Sequence, residues 1–93
     1  MFAIAFDLIV KETEQRHPKG TSGAYRDVAR TLGEFGFNRI QGSVYATTRD
    51  DLANLTAAIF ALKALPWFPV CVRDIRAFRM ENWSDFTELV KRQ

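Results

Sequence analysis

The apolar period of this chain changes along its length, and the order of those changes restricts the fold more than any other feature. Residues 2–10, FAIAFDLIV, put large apolar side chains at Phe2, Ile4, Phe6, Leu8 and Val10. The odd positions hold Ala3, Ala5, Asp7 and Ile9. Period two marks a strand, here with one bulky face and one small-residue face that carries a carboxylate. The next stretch, KETEQRHPKGTSG, is polar with one Pro and two Gly and reads as a loop. From Ser22 the spacing of Tyr25, Val28, Ala29, Leu32 and Phe35 becomes helical. Thr21 or Ser22 suits the start of that helix as a cap, and Gly36 suits a position just past its end.

In FNRIQGSVYATT, Ile40, Val44 and Ala46 alternate with Arg39, Gln41, Ser43 and Tyr45. This predicts two short strands, or one strongly bent strand, pivoting at Gly42. A second helix is expected over residues 50–64, with Leu52, Leu55, Ile59 and Leu62 on one face, Thr48 or Asp50 as cap and Pro66 as stop. VCVRDIRAFRM reads as a further strand with Cys71 as a small core residue. SDFTELVKR reads as a short helix capped by Ser84 that turns Phe86, Leu89 and Val90 toward the core.

The order is β-α-β-β-α-β plus a C-terminal helix, in a single domain over residues 1–93. Right-handed crossovers make this an α+β ferredoxin-like sandwich, an antiparallel sheet with both main helices on one face. Its strand order, 4-1-3-2, places the Asp7 strand in the centre. The bulky face of that strand meets the helices, and the face carrying Ala3, Ala5 and Asp7 is left open. Asp7 then lies near Ser43 on one side and near residues 73–76 on the other.

Strand parity assigns Asp7, Arg39, Gln41, Ser43, Tyr45, Asp74 and Arg76 to the open face. Carboxylates, hydroxyls and guanidinium groups together suit phosphodiester chemistry: a carboxylate holds a divalent metal or orients a water, and Arg pairs with phosphate oxygens. One Asp is a thin donor set for a hard cation. A two-fold dimer on the open face would bring a second Asp7 close, and Ala3 and Ala5 leave room for the approach. The plainer readings are a capping or ion-paired Asp7, a solvated row of Arg39, Arg73, Arg76 and Arg79, Gln41 and Ser43 satisfying the backbone around Gly42, and Asp74 serving only a neighbouring Arg. His17, in the polar loop with no other His or Cys near it, does not suggest a metal site. No phosphate-cradling Gly-rich loop, zinc spacing or nucleophile elbow is present.

Composition narrows the class. The chain is 47% hydrophobic and 26% charged, a globular balance, and its net charge of +2 does not by itself announce a nucleic-acid binder. The single cysteine excludes an internal disulfide and fits a reducing cytoplasm. The apolar start lacks the basic region of a signal peptide, and no stretch reaches the roughly twenty apolar residues of a membrane span.

AIAFDL at the start, Gly36, Phe37, Arg39 and QGSVY within residues 36–45, VRDIRAF and then WSDFTELVK resemble the virulence-associated protein D (VapD) family over nearly the whole chain. More distantly, the Arg-x-Gln-x-Ser-Val-aromatic run and the first-strand Asp resemble the small ferredoxin-like CRISPR-associated nucleases. Ala46 stands where those nucleases often have an acidic residue. The VapD resemblance implies a homodimeric endoribonuclease, in some cases the toxin of a toxin–antitoxin pair, with Asp7 as catalytic residue. It sets Arg39, Gln41 and Ser43 beside Asp7, and Arg76 and Phe78 on the facing strand.

The expectation is therefore a cytoplasmic endoribonuclease acting on single-stranded RNA, mRNA included, with Asp7 and Ser43 at the reacting bond. Asp7 of each protomer binds Mg2+ or another divalent cation, or activates the attacking group. Arg39, Arg73 and Arg76 hold phosphates, Gln41 contacts the RNA, and Tyr45 or Phe78 stacks on a base. RNA, a second copy and a small antitoxin protein are the expected partners. The rival expectation is a non-catalytic dimeric scaffold that binds nucleic acid or protein. A small-molecule sensor ranks below both, since the open face is charged rather than a closed apolar pocket.

Overall fold

A computed structural model describes residues 1–92. The elements run β1 (Phe2–Leu8), α1 (Val10–Arg16), α2 (Gly20–Gly33), β2 (Asn38–Gln41), β3 (Val44–Thr47), α3 (Leu52–Lys63), α4 (Phe68–Cys71), β4 (Val72–Arg79) and α5 (Thr87–Lys91). The four strands form one antiparallel sheet in the order β2-β3-β1-β4, the expected 4-1-3-2 arrangement of a ferredoxin-like fold.

The alternation in β1 drives the packing. Phe2, Ile4, Phe6 and Leu8 are buried and form one cluster with Val28 and Leu32 of α2, Leu55, Ala58 and Leu62 of α3, and Phe68 of α4. Each fully buried side chain of this size contributes about 1.5–3 kcal/mol, so the bulky face of β1 anchors the sandwich. β2 and β3 are joined by Gly42 and Ser43, where Gly42 has φ +42°. A residue without a Cβ adopts that conformation at least cost. The chain makes two strands here, not one bent strand.

Part of the polar stretch after β1 is helical, contrary to the expected loop. Its seven residues carry no apolar stripe for periodicity to detect. They are held locally by the Glu12–Arg16 pair (2.9 Å) and by Thr13, fully buried, whose hydroxyl donates to the Ile9 carbonyl. Neither Thr21 nor Ser22 caps α2: its N-cap is Lys19, and Thr21 instead bonds Glu14. The cap of α3 is Asp51, which accepts from the Ala53 and Asn54 backbone N–H groups, while the expected Asp50 pairs with Arg79. Cys71 is buried as expected, but at the end of α4 rather than in a strand.

The C-terminal helix departs most. α5 begins after Phe86, not at a Ser84 cap, and Phe86, Leu89 and Val90 are exposed. Their spacing gives a helix an apolar face, yet nothing among the described residues covers it. The segment leading there is pinned at its start, where Met80 and Met1 exchange hydrogen bonds of 2.9 Å. It reaches the opposite sheet edge, where residues 83–87 and Gln41 line one small cleft.

Candidate active site

Asp7 lies on the face of β1 opposite the helices, its side chain 64% exposed, with Arg73 Nε 3.4 Å from Oδ2. The β1–β4 register sets Asp7 directly across from Asp74, Ala5 from Arg76 and Ala3 from Phe78. Arg76 Nε lies 3.2 Å from both carboxylate oxygens of Asp74. Two carboxylates opposite one another repel; here each carries its own guanidinium group. A shift in the β4 register beside Asp7 is what frees Arg73 to reach back to it. Phe78, in line with Asp74 and Arg76 and partly exposed, completes the row.

The expected constellation is divided between two faces. Tyr45 pairs in register with Ile4 and is buried, its ring 6.2 Å from that of Phe6. It is a core residue and presents no ring to a base. Burial pushes its phenol pKa up, against the opposing pull of Arg39. Ser43 also turns to the helix side, where its hydroxyl bonds that of Tyr25 at 3.3 Å. Its backbone carbonyl accepts from Phe6 N–H, so Ser43 neighbours Asp7 along the sheet while its hydroxyl points away from the carboxylate. Arg39 pairs with Tyr45 and follows it to the helix side, its Nε donating to the Gly42 carbonyl at 2.8 Å. Gln41 pairs with Val44 and stays on the open face. The physical reason is the register shift between Arg39 and Gln41, together with the two-residue turn: unbroken odd-number parity does not survive either.

The open face is less bare than expected. Ala3 and Ala46 are buried, although both project to the side away from the helices. Asp7 and the β4 row remain exposed.

His17 is buried, contrary to its place in an expected loop. Lys19 N–H donates to Nδ1 at 3.0 Å, so the ring proton sits on Nε2, which donates to Asp27 Oδ2 at 2.7 Å. The Trp67 ring stands edge-on, 5.1 Å away. The His17 hydrogen bond, with help from Arg30, holds the Asp27 carboxyl below its ordinary pKa despite partial burial. Both ring nitrogens are engaged, and the imidazole joins α1, α2 and the segment before α4.

Among the described residues no group of three or more His, Cys, Asp and Glu is placed to enclose a metal ion. Asp7 and Asp74 nevertheless fit one kind of cation. Magnesium keeps most of its waters and is held by one or two carboxylates together with substrate phosphates.

Fold and site define a ferredoxin-like α+β protein in which a carboxylate near the end of the central strand faces another on the edge strand, both arginine-flanked and exposed. The chain belongs to the VapD family. It is 65% identical to the endoribonuclease VapD homolog of Neisseria gonorrhoeae, over 98% of this chain and 99% of that protein. It is 54% identical to endoribonuclease VapD of Haemophilus influenzae over the same shares, and 42% identical to that of Helicobacter pylori over 98% of this chain and 99% of the relative. No protein-family model matches.

Proposed function

We propose that the chain is an endoribonuclease that cuts single-stranded RNA, mRNA included, at the Asp7 corner of the sheet. The observation that carries this is the exposed Asp7–Asp74 pair with Arg73 and Arg76 on it. The names of its relatives support RNA as substrate. Asp7 and Asp74 would hold a magnesium ion together with phosphate oxygens of the RNA. When bound, such an ion neutralises the phosphate and lowers the pKa of a water.

The chain's own groups do the rest. An incoming phosphate competes with the carboxylates for Arg73 and Arg76, which are exposed and free to swing between the two. Asp7, released from Arg73, faces the scissile bond. Phe78, two residues along β4 from Arg76 and on the same face, offers its ring to a base. Ser43, with its hydroxyl on Tyr25, has no part at the bond. A homodimer would add a second Asp7 corner, and the exposed Phe86, Leu89 and Val90 supply apolar surface for it. The role of toxin with a small antitoxin partner in the cytoplasm rests on the family resemblance. No helix among the described residues is long and apolar enough to cross a membrane.

The test is Asp7→Asn against wild type on end-labelled RNA, with and without chelator, after both are shown folded. Loss of cleavage in the variant and in chelator is the expected result. An Asp7→Asn protein that cuts at the wild-type rate overturns the assignment. If wild type cuts no RNA in any divalent metal, a binding scaffold replaces the enzyme.

A further inference from the structure

A groove of about 790 Å³ opens between α2 and the β2–β3 hairpin, on the helix side of the sheet. Tyr25, Arg26, Asn38, Arg39 and Ser43 line it, and no lining residue is acidic. That sets it apart from the open face, where the arginines are neutralised in place: Arg73 by Asp7 and Arg76 by Asp74. Arg79, Arg16 and Arg30 likewise pair with Asp50, Glu12 and Asp27. Among the described residues, Arg26, Arg39, Arg49 and Arg92 have no carboxylate partner, and the first two line this one cleft. Arg39 spends only Nε on the Gly42 carbonyl, which holds the side chain in place and leaves the rest of its donors free. Two uncompensated guanidinium groups facing one cleft form an anion site, and phosphate is the anion they fit best.

Gly33 contributes the room. It ends α2, where glycine is a poor helix former, and a Cβ built on it meets nothing within 4 Å. The space a side chain would fill is part of the groove. The half-buried Tyr25 ring, 5.9 Å from Phe6, provides a firm aromatic wall. The groove also lies close to the Asp7 corner, because the Ser43 carbonyl that borders it accepts from Phe6 N–H, one residue from Asp7.

We propose that this groove binds the single-stranded RNA beside the cut, with phosphates on Arg26 and Arg39 and a base against Tyr25. This rests on the reading of the chain as an endoribonuclease. The RNA passes from Asp7 over the β2–β3 turn onto the opposite side of the sheet. The groove supplies the affinity that the self-neutralised open face lacks.

The experiment measures binding of a short fluorescein-labelled single-stranded RNA by anisotropy over a series of salt concentrations. It is done in the Asp7→Asn protein so that the RNA survives. Arg26→Ala, Arg39→Ala and Gly33→Leu are added singly, and thermal unfolding is recorded for each. Arg26→Ala and Arg39→Ala are expected to weaken binding about tenfold and to lower the salt slope by about 0.7 for each phosphate no longer neutralised. Gly33→Leu is expected to weaken binding by filling the groove, with the salt slope kept and the unfolding temperature not lowered. Parent-like affinity in Arg26→Ala and Gly33→Leu together overturns the groove and leaves Asp7 untouched. Conversely, wild-type cleavage by Asp7→Asn removes the catalytic reading, and the groove is then judged by the same salt series on a cleavage-resistant 2′-O-methyl strand. A parent that binds no RNA overturns the groove as well.

Discussion

Asp7 and Asp74 stand opposite each other across the β1–β4 pair, and each carries an arginine from β4, Arg73 for one and Arg76 for the other. All four side chains are exposed, so the ion pairs themselves stabilise little. Under the proposed function the arrangement would serve exchange, with the arginines passing to phosphate while the carboxylates are freed.

Asp7→Asn should therefore separate activity from stability. Cleavage of labelled RNA is expected to fall by about a hundredfold or more, the scale of removing a group at the reacting atoms. Unfolding free energy from denaturant titration should move by less than about 1 kcal/mol. A large loss of stability would show that the Arg73 pair is structural.

Asp74→Asn removes one of the two facing charges, and so their repulsion, and should leave stability unchanged or raise it by about 0.2–1 kcal/mol. The magnesium concentration for half-maximal cleavage should rise roughly tenfold, the low end of what a disturbed metal environment produces. Titrating activity with magnesium checks this, and an unchanged midpoint would leave Asp7 as the only acidic residue in play.

The sheet was legible because β1, with its strict alternation and one polar exception, admits a single orientation. Once β1 is central, the 4-1-3-2 order places Asp7 beside β4. What strand parity missed lies at irregularities: a register shift between Arg39 and Gln41 and a two-residue turn at Gly42 sent Arg39, Ser43 and Tyr45 to the helix side. Tyr45 carried a warning, since a large aromatic between Val44 and Ala46 fits a core position as well as an open one. Helix α1 and the burial of His17 left no periodic trace, because both depend on hydrogen bonds rather than on apolar spacing. Arg26 was hidden for a related reason. Beside Tyr25 in a helical stripe it reads as a solvated charge, and only the hairpin brought against α2 makes it one side of a groove.

The His17–Asp27 contact predicts a pH dependence with a definite sign. The Asp27 carboxyl is held below its ordinary value of 3.8 in the folded chain, so its contribution is complete above that value. It is lost as the pH falls through the lower folded value. Asp27→Ala leaves the buried imidazole N–H without its acceptor and should cost about 1–3 kcal/mol at neutral pH. The gap from wild type should shrink as the solution is acidified below about pH 4. Denaturant titrations of both proteins across acid pH give the comparison, and a gap that stays constant would assign the loss to packing alone.

The exposed apolar face of α5 predicts where the proposed homodimer would be sensitive. No residue of α5 is buried, so substitutions there leave the protomer core intact. Phe86→Asp combined with Val90→Asp should halve the mass seen by light scattering and leave the far-ultraviolet spectrum of the protomer unchanged. A dimer that survives the double substitution places its interface elsewhere.

Two glycines of one helix should respond to alanine with opposite signs. At Gly23 a Cβ would lie 2.5 Å from Lys19 Cβ and 2.7 Å from His17 Cε1. His17 has no room to yield, because Asp27 and the Lys19 N–H hold both of its nitrogens and Trp67 stands against its ring. Gly23→Ala should therefore destabilise by about 1–3 kcal/mol, as overpacking in a rigid site does, although alanine is the better helix former by about 1 kcal/mol. At Gly33 a Cβ meets nothing, and Gly33→Ala should gain up to about 1 kcal/mol from propensity alone. Thermal and denaturant unfolding of the two variants supply the test. A stabilising Gly23→Ala would mean that His17 moves aside, and that the imidazole joining α1 to α2 is looser than its hydrogen bonds indicate.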